Sequence, residues 1–112
     1  MSLPLRGPLV RREVENLRSY ETLFVLKPDL DEETTTAAID KLTELIQQNE
    51  GAVEQVNRWG KKRLAYEIKD YREGYYTLVL FQGEPDTAKE LDRVMRLSDG
   101  VLRHIVIRRD AV

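Results

Sequence analysis

One stretch decides how this chain folds: Trp59-Gly60-Lys61-Lys62-Arg63-Leu64-Ala65-Tyr66-Glu67-Ile68-Lys69. In its second half, the larger apolar residues Leu64, Tyr66 and Ile68 alternate with small or charged residues. An alternation with a period of two predicts a strand that has one face buried. A basic cluster at residues 61–63 precedes it and follows a turn glycine, so we predict a strand with a bent, basic entry that reaches beyond the sheet. Such an extension suits binding to a charged partner.

The composition indicates one domain without a strong overall charge. The chain has 112 residues, of which 41% are hydrophobic. It contains no cysteine, which excludes disulfides and thiolate metal sites. It also contains no apolar run near the ~18 residues that a membrane span needs. Charged residues reach 34%, yet the net charge is only −2. Proteins that bind nucleic acid through bulk charge are usually basic, so any such contact must come from a local patch or a basic partner.

Periodicity and turn signals divide the chain into six elements. They predict strands over residues 20–27, 52–68 (bent at Gly60), 75–82 and 101–108, a helix from Asp29 or Asp31 to residues 49–51, and a helix from about Pro85 to residues 98–100. The order β-α-β-β-α-β is that of the α+β ferredoxin-like fold, a four-stranded antiparallel sheet with two helices on one face. Strands one and three are expected at its centre, and the face away from the helices is expected to be open.

Four local signals refine this prediction. Asp29 followed by Glu32 is typical of a capping box, and Gly51 of a left-handed helix cap. Residues 70–74 are expected to form the turn between strands two and three. Trp59 is the one tryptophan in the sequence, and a lone tryptophan is usually buried in the core.

The sequence offers little for catalysis. His104 is the one histidine and lies at a strand position, where a satisfied structural or partner-facing role is far more common than a general base. An acylphosphatase-like enzyme on this fold needs an arginine and an asparagine beside a glycine-rich anion loop, which residues 27–30 do not provide. We therefore expect no enzyme, no metal site and no cofactor.

Residues 1–18 differ from the rest of the chain because they contain two prolines and four arginines without a clear periodicity. They predict a flexible N-terminal extension before a domain over residues 19–112. This extension is either a basic RNA-binding arm or the product of an over-extended gene start. The basic cluster at residues 61–63 also has a plain alternative, as edge-strand charges that block aggregation.

Residues 60–69 follow a specific order: a glycine, basic residues, Leu-Ala-Tyr, one residue, then Ile and a basic residue. The stretches Arg18-Ser19-Tyr20-Glu21, Pro28-Asp29, Trp59-Gly60 and Arg103-His104-Ile105-Val106 accompany it. Together these motifs resemble the bacterial small-subunit ribosomal protein six family, over about residues 17–110. Leu17 stands where family members have their first methionine, so we expect Leu17 to be the native start. The acidic C-terminal tail of the family is short here.

The resemblance implies a structural constituent of the small ribosomal subunit, ribosome-associated and cytoplasmic. It also implies binding to the central domain of small-subunit ribosomal RNA, cooperatively with a small basic partner, ribosomal protein eighteen of the same subunit. An acidic protein gains little from phosphates by itself, and a basic partner supplies that attraction. The alternative is a homo-oligomeric ferredoxin-like interaction module that uses the open sheet face.

Residue roles follow from this implied function. The residues expected to bind RNA are Arg18, Tyr20, Lys61, Lys62, Arg63, Lys69, Arg108 and Arg109. Trp59 and Tyr66 are expected to bind the partner, although Tyr66 has two alternatives, stacking on RNA and packing in the core. The start of strand one and the end of strand four should lie together, because the two strands are expected to pair in antiparallel fashion.

Overall fold

The computed structural model describes residues 17–109, which form one antiparallel sheet covered by two helices. The strands are β1 (Arg18–Leu26), β2 (Ala52–Ile68), β3 (Tyr71–Gly83) and β4 (Val101–Arg108), and the helices are α1 (Glu32–Gln48) and α2 (Pro85–Leu97). The sheet order β2-β3-β1-β4 puts β1 and β3 at the centre, so the predicted ferredoxin-like fold is confirmed. The predictions for the N-terminal extension before Leu17 and for the C-terminal tail lie outside the described residues.

The core lies between the helices and one face of the sheet, which we call the helix face. Fully buried side chains from both layers meet there: Phe24, Leu26, Val79, Phe81, Ile46, Leu91 and Met95. The Tyr20 ring stacks on Phe81 with 5.4 Å between ring centroids. Burying each large apolar side chain stabilises the fold by about 1.5–3 kcal/mol. The opposite face of the sheet, the open face, has no helix over it.

The start of α1 is fixed by Asp31. Its carboxylate accepts the backbone N–H of Thr34 at 2.7 Å, which satisfies one of the unpaired donors of the first turn. This hydrogen bond favours the ionised carboxylate and holds the pKa of Asp31 below its ordinary value. The predicted capping box of Asp29 and Glu32 is therefore wrong, because Asp29 lies two residues before the cap.

The end of α1 corrects another expectation. Asn49 is the C-cap, and Glu50 takes the left-handed backbone that we predicted for Gly51, with φ at 68°. Gly51 is required for space instead. A Cβ atom there would lie 2.7 Å from both the Gln82 carbonyl oxygen and the Ile46 side chain.

The hairpin of β2 and β3 is longer than predicted. Its turn is Lys69-Asp70, with φ values of 51° and 70°, and not residues 70–74. Two central residues with positive φ match the right-handed twist of the flanking strands. Tyr71 pairs with Ile68, so β3 begins four residues before the predicted strand. β1 also begins two residues early, because Arg18 pairs with Gly83 of β3.

Candidate nucleic-acid interface

The outer part of the β2–β3 hairpin, residues 61–73, forms an extension that we call the hairpin arm. β1 pairs with β3 only as far as Tyr75, so the arm continues beyond the end of the central strand. Within the arm, residues 64–67 lie opposite the single residue Arg72. A bulge bends its strand and re-aims the side chains on it. Gly60, with φ at 87°, lies at a second register shift at the base of the arm, where the sequence predicts a bend.

Gly74 allows the arm to pack closely on the open face. A Cβ atom at Gly74 would lie 2.2 Å from Val25 Cγ1 and 3.4 Å from Leu64 Cδ2. Any other residue would therefore push β1 and the bulge of the arm apart. The absence of a side chain at this position lets residues 64–68 lie over the end of β1.

The bulge brings Tyr66 of β2 to Arg103 of β4, the strand at the opposite edge of the sheet. The Arg103 guanidinium lies 5.7 Å from the centre of the Tyr66 ring, within cation–π range. Arg103 also donates a hydrogen bond to the Tyr66 hydroxyl. The two edge strands thus contact each other across the open face, although β3 and β1 lie between them in the sheet.

A groove of about 220 Å³ lies between the arm and the open face. Its apolar lining comes from three strands: Leu23, Val25, Leu64, Ile68 and Ile105. Tyr66, Tyr76 and Arg103 supply its aromatic and charged edges. The groove therefore combines an apolar floor with planar side chains at its rim.

A second tyrosine holds the other side of the arm. The Tyr71 hydroxyl donates to the Asp29 carboxylate at 3.0 Å, which joins β3 to the connection between β1 and α1. This hydrogen bond favours the protonated phenol and raises the pKa of Tyr71 above its ordinary value. Tyr66 and Tyr71 thus fix the position of the arm relative to the sheet.

The arm carries five basic and three acidic residues. Arg72 is paired with Glu67 at 2.9 Å, and both side chains are largely exposed. Four basic side chains remain on the exposed surface of the arm: Lys61, Lys62, Arg63 and Lys69. In the part of the chain that the structure describes, none of these four has an ion-pair partner within 4.0 Å. Their charge is available for an external anion.

The other predicted basic residues lie at the far end of the sheet. Arg108 is opposite Tyr20 in the pairing of β1 with β4, and the backbone N–H of Arg109 donates to the Ser19 carbonyl at 2.7 Å. The start of β1 and the end of β4 therefore lie together, as predicted. The Arg109 side chain is paired with Glu54 of β2 at 3.2 Å. Since β1 spans nine residues, this second patch lies about 26 Å from the arm.

Of two predicted site residues, one is buried and the other is exposed. Tyr20 is only 7% exposed, and its ring belongs to the core. Trp59 is 46% exposed beside the bend at Gly60, so the usual burial of a lone tryptophan does not occur here. Sequence reasoning also left Arg103 and Tyr76 out of the site. The alternation along β4 places Arg103 on the same face as Ile105, but its contact with Tyr66 depends on the bulge.

The described residues show no arrangement typical of catalysis. His104 Nε2 lies 2.9 Å from Asp92 Oδ1 of α2, and the His104 side chain is only 16% exposed. This pair joins β4 to α2, which is the structural one of the two roles expected for the histidine. Within residues 17–109, no cluster of three or more possible ligands could hold a metal ion, and no helix is long and apolar enough to cross a bilayer.

Comparison with known proteins shows which family the chain belongs to. A family model described as Ribosomal protein S6 matches residues 19–108. The chain belongs to the ribosomal protein S6 family. This confirms the resemblance, and it makes the chain a structural, non-enzymatic component of the small ribosomal subunit. The expected ribosome-associated, cytoplasmic location is likewise confirmed.

Individual S6 relatives are similar over most of their length. The small ribosomal subunit protein bS6 of Desulforudis audaxviator is 51% identical over 94 residues, which cover 84% of this chain and 100% of the relative. The bS6 of Moorella thermoacetica is 52% identical over 92 residues, 82% of this chain and 94% of the relative. The crystal structure of 30S ribosomal protein S6 from Thermotoga maritima superposes with a TM-score of 0.79 at 30% identity, covering 83% of this chain and 88% of that one.

Proposed function

We propose that this S6-family chain binds the central domain of small-subunit ribosomal RNA, together with the basic ribosomal protein eighteen. The observation that carries the proposal is the hairpin arm, where four basic side chains extend beyond the sheet without ion-pair partners among residues 17–109. Phosphate oxygens are the anions that such exposed lysines and arginines contact in RNA.

The charge of the whole chain supports a basic partner. With a net charge of −2, the protein as a whole does not attract RNA, so only the local charge of the arm favours phosphates. Acidic residues concentrate in and just before α1: Asp29, Asp31, Glu32, Glu33, Asp40 and Glu44. A basic protein is attracted to this acidic region and adds its own phosphate contacts to the complex.

The proposed roles of individual residues follow their positions. Lys61, Lys62, Arg63 and Lys69 contact phosphates from the arm, and Arg18, Arg108 and Arg109 form a second, smaller contact at the far end of the sheet. Tyr20 positions β1 from within the core, since its ring is too buried to stack on RNA. Trp59 packs on the protein partner, because a half-exposed tryptophan is a typical anchor of a protein interface.

The test is binding of the full chain to a central-domain RNA fragment, with and without ribosomal protein eighteen, over a series of salt concentrations. We expect tight binding only with the partner. Changing Lys61, Lys62 and Arg63 to alanine should weaken binding and reduce the slope of log affinity against log salt by about two to three, because about 0.7–0.9 is lost per phosphate contact.

The matched control changes Lys89, Arg93 and Arg96 of α2 to alanine. This variant also loses three positive charges, but from the helix layer, on the other side of the sheet from the open face. We expect it to keep the wild-type salt slope. An equal loss in both variants would show that bulk charge, and not the arm, binds the RNA. A wild-type chain that never joins the RNA–partner complex would overturn the proposed function.

A further inference from the structure

The groove beneath the hairpin arm has the size and lining of a site for one planar ring system. Its volume of about 220 Å³ is below the ~300–1,000 Å³ typical of pockets for drug-sized ligands. The floor is apolar, with Leu23 and Val25 from the central strand and Ile105 from β4. Ile105 is still 41% exposed, so apolar surface remains uncovered in the protein alone.

The wall of the groove carries the two side-chain types that stack on nucleobases. Unpaired RNA bases stack on aromatic rings and on arginine guanidinium planes. Tyr66 is 60% exposed, which leaves much of its ring accessible, and Arg103 lies against it. Without a ligand, the hydrogen bond between Arg103 and the Tyr66 hydroxyl satisfies both polar groups. A base can then replace the contact between the two side chains by stacking on either of them.

The charge around the groove favours RNA over a basic protein as its occupant. The strand that forms the wall follows directly from Lys61, Lys62 and Arg63, and Lys69 lies one residue beyond Ile68. These four cations attract the phosphates on either side of an inserted base and disfavour a basic segment inside the groove. Trp59, the proposed contact with the basic partner, does not line the groove and lies at the base of the arm. The acidic region that suits a basic protein lies at α1, in the helix layer.

We propose that this groove receives one unstacked RNA base, held between the apolar floor and the Tyr66–Arg103 wall, while the basic residues of the arm contact the adjoining phosphates. This inference rests on the proposed RNA binding and adds a base contact to it. Phosphate contacts position a protein on RNA, and a base site of this kind selects an unpaired nucleotide.

The experiment measures binding of the full chain with ribosomal protein eighteen to the central-domain RNA fragment for three variants. Tyr66→Leu removes the stacking ring and should weaken binding about tenfold with an unchanged salt slope, since no phosphate contact is lost. Tyr66→Phe keeps the ring and loses only the hydroxyl, so it should bind as tightly as the wild type or more tightly. The comparison variant Tyr71→Leu removes the other tyrosine that holds the arm but does not line the groove. Its loss of affinity measures the effect of arm position alone and should be clearly smaller than the loss in Tyr66→Leu.

Ultraviolet cross-linking of the wild-type complex followed by mass spectrometry adds a direct readout. A nucleotide cross-linked to Tyr66 or Tyr76 supports the proposal. Nucleotides cross-linked to other residues of the chain but not to Tyr66 or Tyr76 overturn it, because the bound RNA then does not enter the groove. Melting temperatures of all variants confirm that each is folded, which is expected for the exposed Tyr66.

The outcomes separate this inference from the proposed function. If Tyr66→Leu binds like the wild type while the Lys61, Lys62 and Arg63 alanine variant loses affinity, the base site is wrong and RNA binding by the arm stands. If Tyr71→Leu loses as much as Tyr66→Leu, the position of the arm matters and stacking does not, which also overturns the base site. If the wild-type chain does not bind at all, both proposals fail.

Discussion

The two faces of the sheet are made by the same strands but have opposite environments. On the helix face, Phe24 and Phe81 are completely buried. On the open face, Ile105 and Ile107 of β4 remain 41% and 46% exposed. Successive side chains of a strand point to opposite faces, so a single alternating sequence supplies both. The helix face therefore stabilises the fold, whereas the open face and the hairpin arm are free to bind.

The largest expected effect tests the stabilising face. Phe81→Ala should lower the free energy of unfolding by about 3–5 kcal/mol, because it opens a cavity in the closed core. Leu80→Ala, one residue earlier and on the open face, should cause a markedly smaller loss. Chemical denaturation of both variants measures the difference. Equal losses would contradict the inference that the helix face contributes more to stability than the open face.

The next effect tests the contact between the arm and the open face. Gly74→Ala should cost about 1–3 kcal/mol, because the new Cβ would lie 2.2 Å from Val25 Cγ1. Gly60→Ala is the control: it has no atom within 4 Å of its Cβ, and only its positive φ is strained, at about 1 kcal/mol. Denaturation curves compare the two. A loss at Gly74 no larger than at Gly60 would argue against close packing of the arm on β1.

A smaller effect concerns polar groups within the helix face. Among the buried side-chain atoms of residues 17–109, Thr77 Oγ1 lacks a hydrogen-bond partner, whereas Thr22 Oγ1 donates to the Ile105 carbonyl at 2.8 Å. Thr77→Val should therefore stabilise the protein by about 1 kcal/mol, and Thr22→Val should destabilise it by a similar amount. Thermal and chemical unfolding would show the opposite signs. A destabilised Thr77→Val variant would indicate that its hydroxyl has a partner.

The smallest effect is a pH dependence at the start of α1. The folded-state pKa of Asp31 lies below its unfolded value, near 3.8, because of the hydrogen bond from Thr34. The stabilisation is thus fully present above the unfolded pKa and is lost as the pH falls through the lower folded pKa. Asp31→Asn keeps a capping oxygen but does not titrate, so its melting temperature should fall less in acid than that of the wild type. Parallel slopes for the two proteins between about pH 5 and pH 2 would exclude this contribution.

Much of the fold could be predicted from local patterns. The alternation along β1, β3 and β4 predicts the strands, and proline and glycine signals predict most of their ends. The turn after β2 was predicted too late in the chain, because residues 70–74 have a turn-like composition. The pairing of Tyr71 with Ile68 extends the hairpin, so the turn lies at Lys69-Asp70. Strand pairing over several residues outweighs the preference of a short segment.

The candidate site was only partly predictable. The sequence indicates the basic cluster at residues 61–63 and the bend at Gly60. It does not indicate that Tyr66 contacts Arg103, 37 residues further along the chain, since that contact needs the bulge at residues 64–67. The burial of Tyr20 and the exposure of Trp59 were likewise not predictable, because both depend on what the neighbouring elements cover.

By itself, the sequence determined the order of elements, the two faces of each strand and the basic character of the arm, because periodicity and charge are local properties of the chain. The tertiary structure alone decided where the arm lies. Gly74 allows close contact with Val25, and the bulge turns Tyr66 toward Arg103. These contacts join residues that are distant in sequence, and their geometry depends on the packing and register of all four strands.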